Sequence, residues 1–82
     1  MEIKKRLKDY LVQNVLDQNE AGQLSDTTTL ISSGIVDSIT TLQLVEFIET
    51  EFNIEFDAHE VDRDNLDTLI LIENFVERKR QG

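Results

Sequence analysis

The sequence predicts an all-α protein, a small helical bundle with three main helices and one short helix. Apolar residues recur at three- and four-residue spacing along three segments, which is the periodicity of amphipathic helices. The chain has no proline, and no segment sustains the apolar–polar alternation of a strand. At 82 residues, one domain over residues 1–82 is expected, with a modest core.

The first helix is predicted over residues 2–18, and a long loop follows it. Four apolar residues repeat at every fourth position of this helix: Ile3, Leu7, Leu11 and Val15. The next segment, NEAGQLSDTTT, combines a glycine with a polar cluster, so we predict a loop running to about residue 36. Leu24 and Leu30 are the expected anchors of this loop in the core. A loop of this length is typically functional or tethered by such anchors.

The second helix is predicted over residues 38–52. Asp37 precedes it as a good N-cap, because its carboxylate can accept hydrogen bonds from free amides one turn in. Its negative charge also suits the positive end of the helix dipole. Gly34 can adopt backbone angles that other residues resist, just before the helix. At about 100° per residue, the core face carries Leu44, Val45, Ile48 and Phe52, with Phe47 at its edge.

The segment FDAHEVD predicts a short third helix, in which Asp57 and Glu60 have capping-box spacing. His59, the only histidine, is expected at the surface. A Ser-His-Asp catalytic set is therefore not expected in a chain with no room for a deep cavity. The following DRDNLD has acids like a calcium loop but lacks its glycine and its twelfth-position glutamate. Helix capping and solvated charge explain these acids better, so no metal site is predicted.

A fourth helix is predicted to end near Lys79, with Asn65 or Asp67 as its cap. Its core stripe consists of Leu69, Ile72, Phe75 and Val76. Ile70 lies away from this stripe, so we do not expect it to be a principal core residue.

The net charge of −9 lies entirely in the central third of the chain. Residues 37–67 contain ten acids and one base, whereas the other residues carry seven of each. A phosphate backbone would be repelled, so nucleic-acid binding is not expected. A basic protein partner is the electrostatic complement, and ordinary solubilising charge is the alternative.

The chain has no cysteine, which excludes disulfides and thiolate zinc sites. Any thiol chemistry would need an imported thiol. No signal peptide and no apolar run long enough for a membrane span are evident, so we expect a cytoplasmic protein, and a monomer.

The outer face of the second predicted helix mixes a hydroxyl, apolar residues and acids. Opposite the core face lie Ser38, Ile39, Leu42, Gln43, Glu46, Glu49 and Asn53. A serine in the first turn, directly after an aspartate cap, can leave its hydroxyl in solvent. Asp-Ser is also a common helix start, and scattered exposed apolar residues are normal, so helix capping alone is an alternative explanation.

The segment GIVDSITTLQLVEFIETEF, residues 34–52, resembles the phosphopantetheine-attachment region of acyl carrier proteins and related carrier domains. The signature of that region is a glycine, two apolar residues, Asp-Ser and an apolar residue. LSDTTTL, FNIEFDAHEV and LDTLILIENFV extend the resemblance over almost the whole chain. The sequence departs from the usual pattern at Ile39, Thr40 and Glu46, which bears on the partners and the pathway more than on attachment.

The resemblance implies a single non-catalytic carrier domain over residues 1–82. It implies that Ser38 accepts 4′-phosphopantetheine from coenzyme A, with Asp37 as the acid of the motif. A phosphopantetheinyl transferase, of the holo-acyl-carrier-protein synthase type, would make the bond. The thiol of the arm would then carry acyl or aminoacyl groups as thioesters between enzymes of fatty-acid, polyketide or related biosynthesis.

The resemblance also implies that partners dock on the second helix. Its candidate docking residues are Ile39, Leu42, Glu46 and Glu49, and the expected partners are loading and synthase enzymes with basic patches. Two alternatives stay open: a non-modified acidic helical adaptor that binds one basic protein, and an aminoacyl or peptidyl carrier.

Overall fold

The computed structural model describes residues 3–81, and within that range the chain forms five α-helices and one 3₁₀ helix, with no strand. The elements are α1 (Ile3–Asn14), α2 (Gln18–Gln23), α3 (Ser38–Phe52), the 3₁₀ helix (Ala58–Glu60), α4 (Arg63–Leu66) and α5 (Leu69–Gln81). The all-α prediction is confirmed, and its three main helices correspond to α1, α3 and α5. Residues 1, 2 and 82 of the predicted domain, including the predicted helix start at residue 2, lie outside the described residues.

The faces that the apolar periodicity predicted form most of the core. The predicted loop anchors Leu24 and Leu30 are buried in it as well, and Leu16, Val36, Ile54 and Leu66 join it without having been predicted. Its buried apolar side chains are Ile3, Leu7, Leu11, Leu16, Leu24, Leu30, Val36, Leu44, Val45, Ile48, Phe52, Ile54, Leu66, Leu69, Ile72, Phe75 and Val76. Val15 and Phe47 pack against this core but are only partly buried. Ile70 is 37% exposed, as its position off the α5 stripe predicted.

The predicted first helix is too long, and the predicted loop after it begins too early. Helix α1 ends at Asn14, where the amides of Val15 and Leu16 both donate to the Leu11 carbonyl, at 2.9 and 2.8 Å. Helix α2 then starts from a capping box: Asp17 Oδ1 accepts from the Glu20 amide at 2.8 Å, and Glu20 Oε1 accepts from the Asp17 amide at 3.1 Å. The reciprocal hydrogen bonds satisfy two free donors, so a helix forms despite Gly22.

The structure also corrects the predicted cap of the last helix. Thr68 Oγ1, rather than Asn65 or Asp67, accepts from an amide in the first turn of α5, that of Leu71 at 3.1 Å. The Asn65 amide group donates to the Glu60 carbonyl at 3.0 Å, within the unpredicted helix α4 and the turn before it. The Asp67 carboxylate points to residues 30–32, as described below.

The 3₁₀ helix lies in the segment where the short third helix was predicted, and it is joined to α5. The Glu60 carboxylate accepts from the Asp57 amide at 2.8 Å, as the capping-box spacing predicted. Lys79 of α5 forms an ion pair with Glu60 at 2.8 Å. The rings of Phe56 and Phe75 stack with centroids 4.4 Å apart. Residues 56–60 are therefore held against the C-terminal half of α5.

No helix among residues 3–81 combines the length and apolar character needed to cross a bilayer.

Candidate functional site

Ser38 is the first residue of α3, and its side chain is exposed. Asp37 caps the helix: its Oδ1 accepts from the Thr40 amide at 2.8 Å, and its carbonyl accepts from the Thr41 hydroxyl at 2.7 Å. The bond from the Thr40 amide lowers the pKa of the Asp37 carboxyl, which keeps it charged at neutral pH. Within the described part of the chain, the Ser38 hydroxyl has no hydrogen-bond partner. The predicted cap is confirmed, and the hydroxyl is left accessible.

The loop before Ser38 is held by a tight turn. Gly34 has a φ of 84°, a left-handed conformation that glycine adopts without strain, and its amide donates to the Ile31 carbonyl at 3.1 Å. The Val36 amide then donates to the Leu30 carbonyl at 2.9 Å. Leu30 and Val36 are both buried, at 0% and 2% exposure. The buried side chains of Leu30 and Val36 therefore fix the path of the chain up to Asp37.

Asp67 joins this loop to the other end of the sequence, a role that its position before a predicted helix did not reveal. Its Oδ1 accepts from the amides of Leu30, Ile31 and Ser32 at 3.1, 2.9 and 3.0 Å. Its Oδ2 accepts from the Ser32 hydroxyl at 2.6 Å. Its main-chain carbonyl accepts from the Leu30 amide at 2.7 Å. One aspartate thus satisfies three consecutive amides of the loop.

The outer face of α3 is open beside Ser38. Ile39 is 71% exposed and Leu42 is 58% exposed. Glu46, one turn further on, is exposed as well. Glu49 is less accessible than the other candidate docking residues. It is half-buried, and its Oε2 accepts from the Phe56 amide at 2.8 Å. The structure therefore brings Ile39, Leu42 and Glu46 together on an accessible surface, whereas Glu49 is engaged within the fold.

A family model described as the phosphopantetheine attachment site matches residues 6–71, which include the Asp-Ser pair, the loop before it and Asp67. The chain belongs to this family. It is a phosphopantetheine carrier protein, and 4′-phosphopantetheine is its covalent cofactor. Carriers of this family work with phosphopantetheinyl transferases and synthase-type enzymes, and they are generally non-catalytic. No significant match to the chain was found among curated proteins.

The geometry at the start of α3 fits such a group. A side chain that is to be esterified must be reachable by an enzyme, and Ser38 is exposed without an internal hydrogen bond to break. The neighbouring Asp37 has its Oδ1 committed to the helix amide of Thr40, so that bond keeps the helix start in place. The fold thus offers one free hydroxyl beside a fixed cap.

The acids after α3 serve the fold of the carrier. Asp57, His59 and Glu60 each place one possible ligand atom within 4.8 Å of the others. Lys79 Nζ already lies 2.8 Å from Glu60 and 3.9 Å from Asp57, so a cationic side chain is present beside these carboxylates. In the DRDNLD segment, Asp62 Oδ1 caps α4 by accepting from the Asn65 amide at 3.3 Å. Across residues 3–81, no hydrogen bond links His59 to Ser38.

Proposed function

We propose that this carrier holds 4′-phosphopantetheine on Ser38 and works as a non-catalytic shuttle. The observation that supports this is the exposed, unpaired hydroxyl at the start of α3, directly after the Asp37 cap. When bound, the group supplies a thiol that a chain without cysteine lacks, and on which acyl or aminoacyl cargo is held as a thioester. The proposal includes a monomeric, cytoplasmic carrier whose single domain spans residues 1–82.

Ser38 and Asp37 have different roles in attachment. Ser38 Oγ attacks the phosphorus next to the pantetheine of coenzyme A, loses its proton to a base of the transferase, and displaces adenosine 3′,5′-bisphosphate. The Asp37 carboxylate accepts from the Thr40 amide and so fixes the first turn from which the hydroxyl projects. The carrier itself needs no base, because the transferase supplies the catalytic groups.

Partner enzymes are proposed to dock on the open face of α3. Ile39 and Leu42 offer apolar side chains that become desolvated on contact, which is where binding energy concentrates. Glu46 and the acids of residues 37–67 attract basic enzymes and orient them. Contacts of this kind form fast and release fast, as a shuttle among fatty-acid, polyketide or related synthases requires.

Intact-mass spectrometry after incubation with coenzyme A and a broad-specificity phosphopantetheinyl transferase tests the attachment. The parent chain should gain one phosphopantetheine, and Ser38→Ala should gain none while keeping its helical circular dichroism. Ser25→Ala is the matched control, since Ser25 is an exposed serine outside residues 30–36, and it should be loaded like the parent. Loading of Ser38→Ala contradicts the assigned residue. A folded parent that takes up nothing points instead to the non-modified adaptor.

A further inference from the structure

We propose that Asp67 is a positioning residue for the attachment site: it fixes the loop that delivers Ser38 to the transferase. This role rests on the proposed attachment at Ser38. Asp67 lies between α4 and α5, and its bonds to the site's approach loop run to residues 30–32. It therefore acts through the loop and not on the reacting atoms.

The contacts of Asp67 form a clamp, by which we mean its side-chain hydrogen bonds to Leu30, Ile31 and Ser32. Three amides and one hydroxyl converge on this carboxylate, at 2.6 to 3.1 Å. Hydrogen bonds to an ionised acceptor are roughly twice as strong as neutral ones. Loss of the carboxylate would leave the amides of Ile31 and Ser32 without this acceptor, whereas the Leu30 amide would keep its bond to the main-chain carbonyl of residue 67 at 2.7 Å.

A continuous series of bonds leads from the clamp to the serine. The Leu30 amide donates to Asp67, and the Leu30 carbonyl accepts from the Val36 amide at 2.9 Å. Val36 is buried at 2% exposure and directly precedes Asp37. Asp37 in turn caps α3 through the Thr40 amide at 2.8 Å. Greater mobility of residues 30–32 would therefore make the position of the first turn of α3 less well defined.

The charge of Asp67 is part of the clamp. Partial burial raises the pKa of this carboxyl, but the bonds from Ser32, Ile31 and Leu30 outweigh it, so the pKa lies below its usual value. The side chain is thus ionised at neutral pH. In Asp67→Asn one oxygen can still accept from the amides, although the charge is lost. Asp67→Ala removes every side-chain bond, and Ser32→Ala removes only the 2.6 Å bond to Oδ2.

Amide hydrogen exchange by NMR, together with the steady-state kinetics of the transferase on the unloaded carrier, tests this role. In Asp67→Ala, exchange should accelerate at residues 30–36, while core amides of α1 and α5 keep most of their protection. The value of kcat should fall on the order of tenfold, since small misplacements of a reacting group have large rate effects. The final extent of loading should be unchanged. Asp67→Asn and then Ser32→Ala should give smaller effects in that order.

Asp9→Asn is the matched control, because Asp9 is an exposed acid of α1, outside the acidic residues 37–67, and its loss changes the net charge equally. It should behave as the parent does in both measurements. Parent-like kinetics in Asp67→Ala, with faster exchange at residues 30–36, overturn the positioning role. Exchange that rises equally throughout α1 and α5 overturns it too, because Asp67 would then be a residue of general stability. A parent that is not loaded at all contradicts the attachment at Ser38, and with it the positioning role, whatever the exchange data give for the clamp.

Discussion

The two sides of Ser38 are built in opposite ways. On its N-terminal side, residues 30–36 are held by Asp67, by the Val36–Leu30 hydrogen bond and by the turn at Gly34. On its C-terminal side, Ile39 and Leu42 project from α3 with more than half of their surface exposed. The contrast separates two tasks: the approach loop determines where the serine is, and the outer face of α3 is left free for other proteins.

One substitution applied to both regions should give the largest difference. Leu30→Ala removes a side chain that is 0% exposed, and it should lower the free energy of unfolding by about 2–5 kcal/mol. Leu42→Ala changes a side chain that is 58% exposed, and it should alter that free energy by about 0.5 kcal/mol or less. Urea unfolding followed by circular dichroism measures both. Leu42→Ala should instead weaken binding to the transferase, with little dependence on salt, and equal stability losses would contradict the contrast.

Two of the three glutamates of α3, Glu46 and Glu49, extend the comparison to a single helix. Glu49→Ala should lower the free energy of unfolding by about 1 kcal/mol, because the Phe56 amide loses its acceptor. Glu46→Lys should leave stability near that of the parent but slow association with the transferase, and this defect should shrink as salt rises. Stopped-flow association across a salt series, beside urea unfolding, distinguishes them. A salt-independent defect in Glu46→Lys would remove this residue from electrostatic docking.

The smallest expected effect is a pH dependence of the free energy of unfolding, caused by the Asp67 clamp on residues 30–32. Because the hydrogen bonds lower the folded-state pKa of Asp67, its ionised form contributes stability above the ordinary carboxyl pKa of about 4. That contribution is lost as the pH falls through the folded-state value. The difference in unfolding free energy between parent and Asp67→Asn should therefore shrink from pH 7 to pH 3. A difference that stays constant would mean that charge is unimportant to the clamp.

The apolar periodicity predicted which side chains of a helix are buried and which are exposed. The core stripes of α3 and α5, and the exposure of Ile39 and Leu42, follow from the 3.6-residue repeat alone. The Asp37 cap follows equally from local spacing. Helix α2 was not predicted, because Gly22 and the polar residues around it indicate a loop. The sequence signal for this helix is the capping-box spacing of Asp17 and Glu20.

Local sequence patterns do not indicate which segments come into contact in the folded chain. Asp67 precedes an apolar helical stripe, so its sequence neighbourhood favoured a cap, but its acceptors are used by amides of a loop far back in the chain. Glu49 has the helical position of an exposed acid, yet the chain folds back after Asn53 and brings the Phe56 amide to it. The Asp67 donors lie more than 30 residues away, and Phe56 lies beyond the end of α3, so neither contact belongs to a helical repeat.

The hydrogen bond between Leu30 and Asp67 also bears on the order in which the chain folds. It joins residues 37 positions apart, whereas the bonds within α1, α3 and α5 are local. Distant contacts form late, because the chain loses entropy in closing the intervening loop before the contacts compensate. The amides of residues 30–32 therefore reach this acceptor only once the segment between α4 and α5 lies against them. A chain synthesised only as far as α3 contains the same Asp-Ser pair but lacks the acceptor for the amides of residues 30–32.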